Sequence, residues 1–468
     1  MKGIVLAAVL AALTVLQSQA ASAADLVDVY QLALRNDPDI AAARANREAT
    51  LEEQPLARSQ LLPSVSLIGD ADYTWRDVRD SPLGRYDEDF PRGAASVQLV
   101  QPLYRKDRLI RLEQAEDQVE QADVDLEAAE QDLILRVARA YFVVLGAQDN
   151  LEFAQSERKA IARQLDQAKQ RFEVGLIAIT GVYEAQARFD QARADEIAAT
   201  NLLDNAIEQL LQITGERFDA IAPLRRDIPL NSPQPASLDA WADTALINNP
   251  LVISARYDAE IAKKQIDFQA AGDSPALDLV GSYGLAETGS DFGSDTTDGV
   301  IGLQLSLPLY TGGGVDAATR QARSQYSAAQ DLLERRRREV RTQVRNAYRG
   351  VLSAVSRVGA LEATQVSAQS ALEATEAGFD VGTRTLVDVL NSQRDLFAAK
   401  RDFARSRYDY ILNTLELFQA AGSLDETDVR LVNTWLEQGA AAVDAEGARA
   451  REAAQAQREA DEAVKRAR

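Results

Sequence analysis

The chain states one plan twice, and that duplication limits the folds open to it. RFEVGLIAIT at 171–180 and GFDVGTRTLV at 378–387 interrupt two long helical patterns in the same manner, 207 positions apart. RNDPDIAAAR (35–44) aligns with INNPLVISAR (247–256), and LLPSVSL (61–67) with DSPALDL (273–279), both at an offset of 212. QLVQPLY (98–104) aligns with QLSLPLY (304–310) at 206, and Tyr141 with Tyr348 at 207. Collinear matches over such a span mean two structural copies. Each copy runs through an opening helix (24–62, 237–274), a pair of alternating segments (63–104, 275–310) and a pair of long helices (105–214, 311–422). A Pro-rich segment, 215–236, joins the copies, and 423–468 follows the second.

The alternating segments read as strands. Val65, Leu67, Gly69, Ala71, Tyr73 and Trp75 alternate with Ser64, Ser66, Ile68, Asp70, Asp72 and Thr74, and Ala95, Val97 and Leu99 with Ser96, Gln98 and Val100. The second copy repeats the pattern with Leu277, Leu279, Gly281, Tyr283 and Leu285, then with Gly299, Ile301, Leu303, Leu305 and Leu307. Period two with one apolar face marks a strand, and about 10–12 residues suffice for a tilted strand to cross a bilayer. Tyr73 and Trp75 suit a membrane interface. The polar connections 76–93 and 287–299 are expected as outer hairpin loops. Four strands cannot close a membrane barrel, because two edges would present unpaired N–H and C=O groups to lipid. A barrel would have to be shared, and two, three or four copies would give eight, twelve or sixteen strands; pattern alone does not choose. Gly and Ala dilute the apolar faces, so a hairpin in a non-membrane sheet stays open.

From Arg105 to Phe172 there is no proline and one glycine, Gly146; residues 315–377 contain no proline and only Gly350 and Gly359. Helices of that length rise roughly 90–100 Å at 1.5 Å per residue and need lateral partners throughout. Leu109, Leu112, Val119, Leu126, Leu133 and Val137 recur at threes, fours and sevens, with Ala between them. Gly175 and Gly382 are expected at helix-tip turns (173–181 and 378–387), with Thr180 and Thr385 as N-caps of the returning helices. Pro102 and Pro308 are expected where strand gives way to helix. Arg335 to Arg338 read as a charged helix face paired with Glu334 and Glu339.

Composition narrows the chemistry. The chain has no Cys, no His and one Met, which removes disulfides, thiolate and imidazole metal sites and imidazole acid–base catalysis; no cofactor is expected. A net charge of −21 argues against a nucleic-acid partner. Lys2, the apolar run Ile4 to Leu16 and Ala21-Ser22-Ala23 form a secretory signal over 1–23, with no cysteine at the boundary for lipid attachment. After it no apolar run reaches 18 residues. The tail beyond Leu436, rich in Ala, Glu, Gln, Asp and Arg, lacks an apolar stripe and is expected to be poorly ordered.

The whole pattern, and above all LSLPLYTGGG, VGLIAIT and VGTRTLVDVLNSQRDL, resembles the TolC-like outer-membrane efflux proteins over about residues 26–423. That resemblance implies a homotrimer with a twelve-stranded outer-membrane β-barrel continuous with a long periplasmic α-helical barrel, located in the outer membrane. It implies a passive, non-enzymatic exit duct for multidrug efflux or type I secretion. It also implies a periplasmic adaptor and an inner-membrane transporter, either an ABC or a proton-driven one, as partners. The family's entrance carries two aspartate rings; the first corresponds to Asp388 and the second to Asn391. Arg384 and Thr180 match the family's tip-gating contacts, whereas Gly181 stands where an acidic partner is expected and Phe379 where a Tyr is. Phe379 cannot donate a hydrogen bond and Gly181 offers no carboxylate, so either Arg384 finds another acceptor or the tip lock is weaker. The alternatives are a pore-less periplasmic coiled-coil scaffold or adaptor, and a glycosidase or peptidase using paired carboxylates.

Overall fold

The computed structural model of the protein describes residues 23–79, 84–218, 220–291 and 293–437. The expected signal up to residue 22, positions 80–83 of the first outer loop and the tail from 438 lie outside the described residues. Along the chain the elements are α1 (Leu26–Asn36), α2 (Pro38–Leu51), α3 (Glu53–Ser59), β1 (Ser64–Val78), β2 (Tyr86–Arg105), α4 (Lys106–Glu173) and α5 (Ile179–Thr214). The second copy supplies α6 (Leu238–Asn248), α7 (Pro250–Ala270), a 3₁₀ turn (Ala271–Asp273), β3 (Ala276–Thr288), β4 (Thr296–Ser306), α8 (Gly314–Asp380), α9 (Leu386–Ala421) and α10 (Glu426–Asn433). Two compact units result, one of Ala43–Glu127 with Pro250–Arg338 and one of the remaining described residues.

The first unit contains one antiparallel sheet in the order β1-β2-β3-β4, so the two copies join through β2 and β3. Register puts Leu67 opposite Val97, Val97 opposite Tyr283 and Tyr283 opposite Gly299, which gathers the alternating apolar residues on one face. That face is open: Trp75 is 78 % exposed and Ile301 77 %, and Val65, Leu67, Leu285 and Leu303 are exposed with them. The other face carries Ser66, Asp70, Gln98 and Ser282. A contiguous apolar face of this kind marks a surface built for lipid or for another chain. The strands run further into the expected loops than the alternation suggested, because pairing continues through Arg76↔Glu88 and Val78↔Tyr86. Only 79–85 and 289–295 remain as connections.

Pro102 is a correction to the sequence reading. It lies inside β2, opposite Asp278, at a bulge between Pro102 and Tyr104; a residue without an N–H is tolerated where the ladder is already irregular. Pro308 does follow the end of β4, in the segment that leads to α8. Beside the bulge, Arg105 grips Asp278 with two hydrogen bonds, 3.0 Å from Nε and 2.5 Å from a terminal nitrogen.

In the second unit the opening helix of each copy is broken, contrary to the expected continuous run. The residue before a proline avoids helical angles, and Asp37 and Asn249 are extended there, with ψ of 123° and 122°, ahead of Pro38 and Pro250. In α5, Ala185, Ala192, Ala199 and Ala206 are buried seven residues apart, a small-residue seam that lets a neighbouring helix come close. The described residues of the joining segment, 215–218 and 220–236, are tied to their surroundings by backbone and side-chain bonds. Ala24 pairs with Ile221 and Leu224 with Leu436, the buried Tyr141 hydroxyl donates to the Ala222 carbonyl at 2.7 Å, and Arg407 donates to the Arg225 carbonyl.

Candidate functional site: the helix tips

Both tips are closed by one backbone device. Gly175 takes φ +76° and Gly382 φ +80°, angles open to a residue without Cβ. The Gly175 N–H donates to the Phe172 carbonyl at 2.9 Å and that of Leu176 to Arg171 at 2.8 Å; Gly382 donates to Phe379 at 3.1 Å and Thr383 to Gly378 at 2.8 Å. Paired bonds of this kind satisfy the carbonyls left over at a helix end.

The starts of the returning helices differ. Thr385 caps α9: its hydroxyl accepts from the Asp388 N–H at 3.2 Å, and the Asp388 carboxylate accepts from the Thr385 N–H at 2.9 Å and from its hydroxyl at 2.9 Å. Thr180 is not a cap. The N-cap of α5 is Ala178, which has no side-chain acceptor, and Thr180 lies inside the first turn. At the tip offset of 207, Ala178 corresponds to Thr385 and Gly181 to Asp388, so the first copy lacks both members of the capping pair. Ala178→Thr combined with Gly181→Asp should restore it. A Cβ at Gly181 would meet only the ends of Ile177 and Leu386, at 3.4 and 4.0 Å. A cap contributes about 1 kcal/mol, so hydrogen exchange in the first turn of α5 should slow roughly fivefold; unchanged exchange would refute the missing cap.

Beneath the turns, Ile161, Leu165, Ala168, Ala185, Ala192, Leu386 and Leu390 form one apolar cluster and Leu372, Val389 and Leu396 another, with Phe379 packed against both. Phe379 also receives a cation: the Arg171 guanidinium lies 4.4 Å from its ring centroid and pairs with Asp380 at 2.8 Å. Arg188 donates to the Asn391 side-chain oxygen at 3.0 Å. Deeper along the same helices, Arg158 pairs with Glu196 at 2.5 Å and Arg401 with Glu157 at 3.1 Å; burial pushes the Glu157 carboxyl up, against the pull of Arg401. Arg171 and Arg188 escaped the sequence reading, since their partners stand about 200 positions away.

The charges at the tip follow from these contacts. The Thr385 N–H, then its hydroxyl, with Arg384 behind them, hold the Asp388 carboxyl below the usual carboxylate range. It is therefore charged at neutral pH, and its cap weakens only as pH falls through that lowered value. Asp395 pairs with its neighbour Arg394 at 2.8 Å. Arg384 makes no side-chain hydrogen bond or ion pair among the described residues and is exposed. No group of three or more metal-binding side chains occurs among the described residues.

The comparisons agree with this architecture. A family model described as outer membrane efflux protein matches residues 29–216 and 241–423, one stretch for each copy. The outer membrane protein TolC of Vibrio cholerae is 41 % identical over 90 % of this chain and 95 % of its own length. The alkaline protease secretion protein AprF of Pseudomonas aeruginosa is 32 % identical over 88 % and 87 %. Among solved structures, the Campylobacter jejuni CmeC outer membrane channel superposes with a TM-score of 0.74 over 88 % of this chain and 90 % of its own, at 17 % identity. A duplicated chain with four strands, two long helical hairpins and this match across both copies is a member of the outer membrane efflux protein family.

Proposed function

We propose that three copies of this outer-membrane channel close a single duct, each giving four strands to a twelve-stranded barrel and its helix pairs to a periplasmic tunnel. The sheet carries the reading. It has one apolar face, one polar face and, among the described residues, no strand to cover the outer edges of β1 and β4. In lipid those edges must be paired. Eight strands would leave an interior filled by side chains, so three copies are the smallest closure with a water-filled passage. A pore-less scaffold has no use for the exposed apolar face.

The duct is passive: a periplasmic adaptor docks on it and an inner-membrane transporter supplies both cargo and energy. No catalytic step falls to its own residues. Its relatives include a protease secretion protein within a family described by efflux, and one geometry serves both, so the transporter sets the cargo. Asp388 carboxylates from three chains form an acidic ring at the entrance, while Asn391, tied to Arg188, adds an uncharged one. Arg384, Thr180, Gly181 and Phe379 make the tip contacts on which opening depends.

Single-channel recording in planar bilayers tests the reading. Wild type should conduct and prefer cations. Asp388→Asn should lower the cation preference roughly two- to threefold at low salt and leave it unchanged near 1 M, where the screening length falls to about 3 Å. A protein that forms no channel, or a preference indifferent to the substitution, would defeat the pore or the ring respectively. Gly181→Asp should shift gating toward longer closures by giving Arg384 a carboxylate partner.

A further inference from the structure

Where strand turns into long helix, the two copies part company. The first reads LYRKDRLIR (103–111) and the second LYTGGGVDA (309–317): four cations against none. The turn itself does not need them, since the second copy makes it with Gly312 and Gly313 at φ +65° and +80°. One of the four is ion-paired, because Arg105 holds Asp278. Arg108 donates to the Gln60 carbonyl. Arg111 lies 5.7 Å from the Phe268 ring centroid. Lys106 is exposed, and its ammonium has no hydrogen-bond or ion-pair partner among the described residues.

Two of these cations, Arg105 and Lys106, line a cavity of about 490 Å³ together with Asp107, Phe268, Pro308 and Val315, among others, and Arg108 and Arg111 follow within the next turns of α4. Between Pro308 and Gly314, two of its lining residues, the chain carries Leu309 and Tyr310, 90 % and 89 % exposed; Leu307 and, at the end of β2, Leu103 and Tyr104 are exposed as well. Apolar and aromatic side chains that end where cations begin have the layering of a lipid interface: tails, then ring hydroxyls, then headgroup charge. A chain of net charge −21 otherwise repels an anionic surface.

We propose that this foot of the sheet binds the phosphate headgroup of an anionic glycerophospholipid from the leaflet on the helix side. The phosphate lies at Lys106, with Arg108 and Arg111 at the rim, and the acyl chains run along Leu307, Leu309 and Tyr310. The inference rests on the outer-membrane reading above. It adds a lipid site, one per chain, that belongs to the first copy alone. A free phosphate would meet the same cations but would have no use for the apolar border.

The full chain, purified and placed in nanodiscs of phosphatidylcholine containing a minority of phosphatidylglycerol, provides the test, with retained lipid read by native mass spectrometry. Wild type should retain phosphatidylglycerol in excess of its share. The triple variant K106Q/R108Q/R111Q should lose that preference by on the order of tenfold or more, because each cation near an anionic lipid surface contributes roughly fivefold. Bilayer conductance run in parallel keeps the two readings apart: a variant that conducts normally but has lost the lipid supports the site, and a wild type that never conducts sinks the channel reading instead. If the triple variant fails to assemble, Lys106→Gln, which removes no hydrogen bond or ion pair among the described residues, should lower the preference several-fold. Equal retention by the variants would overturn the proposal. So would displacement of the lipid by millimolar inorganic phosphate, or a crosslink from Lys106 placing a second copy of the chain over the cavity.

Discussion

Ile301→Arg is expected to remove the protein from the outer membrane, whereas Ser282→Arg should leave it there. Ile301 sits in the middle of β4 on the apolar face and is exposed; Ser282 pairs with Val300 on the opposite, polar face. An arginine facing hydrocarbon near the middle of a barrel strand costs about 2–4 kcal/mol. If three chains share the barrel the cost recurs in each, about 6–12 kcal/mol per assembly, comparable with the whole stability of an ordinary domain. On the polar face the same guanidinium meets water and the carboxylate of Asp298, diagonally across on β4, and the cost falls to the size of a surface substitution. Fractionation of membranes followed by native gel analysis distinguishes the outcomes. In a sheet that faced water on both sides, Ile301→Arg would be harmless or would improve solubility, and recovery of the variant in a stable, membrane-free form would overturn the barrel. The contrast between neighbouring strand faces makes the test independent of general folding defects.

Much of this could be read from the sequence because the signals are local and repeated. Four alternating runs located the strands, proline-free stretches located α4 and α8 to within a few residues, and two Val-Gly pairs located the tips. What escaped depended on register or on distant partners. Thr180 resembled a cap because a hydroxyl before a helix is a common signal; the aligned position, however, is Ala178, and only the backbone shows that the helix has already begun at Ile179. Proline ends ladders, which makes Pro102 look like a boundary, yet a bulge absorbs it within β2. In sequence Phe379 stands out for the hydroxyl it lacks, whereas in the fold it matters for the π face it offers. Its partner Arg171 comes from the other copy of the repeat, and sequence spacing says nothing about which cation will lie over a ring 208 positions away.

Asp37→Ala should be among the most damaging single changes in the helical unit, at about 3 kcal/mol. Asp37 is 2 % exposed at the break between α1 and α2, where its carboxylate does two jobs. One oxygen accepts from the N–H groups of Asp39 and Ile40, both at 3.0 Å, which caps α2. Both oxygens accept from Arg136 of α4, at 2.9 and 3.2 Å. Alanine would remove the cap, about 1 kcal/mol, and would strip a half-buried guanidinium of its nearest anion. Asp132 at 2.8 Å and Asp39 at 3.4 Å remain beside Arg136, so the second loss falls below that of a fully stranded charge. Asp37→Asn separates the two contributions, since an amide oxygen can still cap while the ion pair is lost, and the second copy already carries Asn249 at the equivalent break. The pH dependence is a further discriminator. Burial raises the Asp37 carboxyl, but Arg136 and the two N–H groups outweigh it, and the net shift is downward from the ordinary 3.8. A group whose folded value is depressed stabilises the fold above its unfolded value, and that stability drains away as pH falls through the folded one. Wild type should therefore hold constant stability from pH 8 to about 5 and lose it more steeply than Asp37→Asn below about pH 4. Thermal unfolding followed by tryptophan fluorescence at fixed protein concentration reads both effects. Parallel acid limbs in the two proteins would mean that the α1–α2 joint is held by packing alone and that the carboxylate is incidental to it.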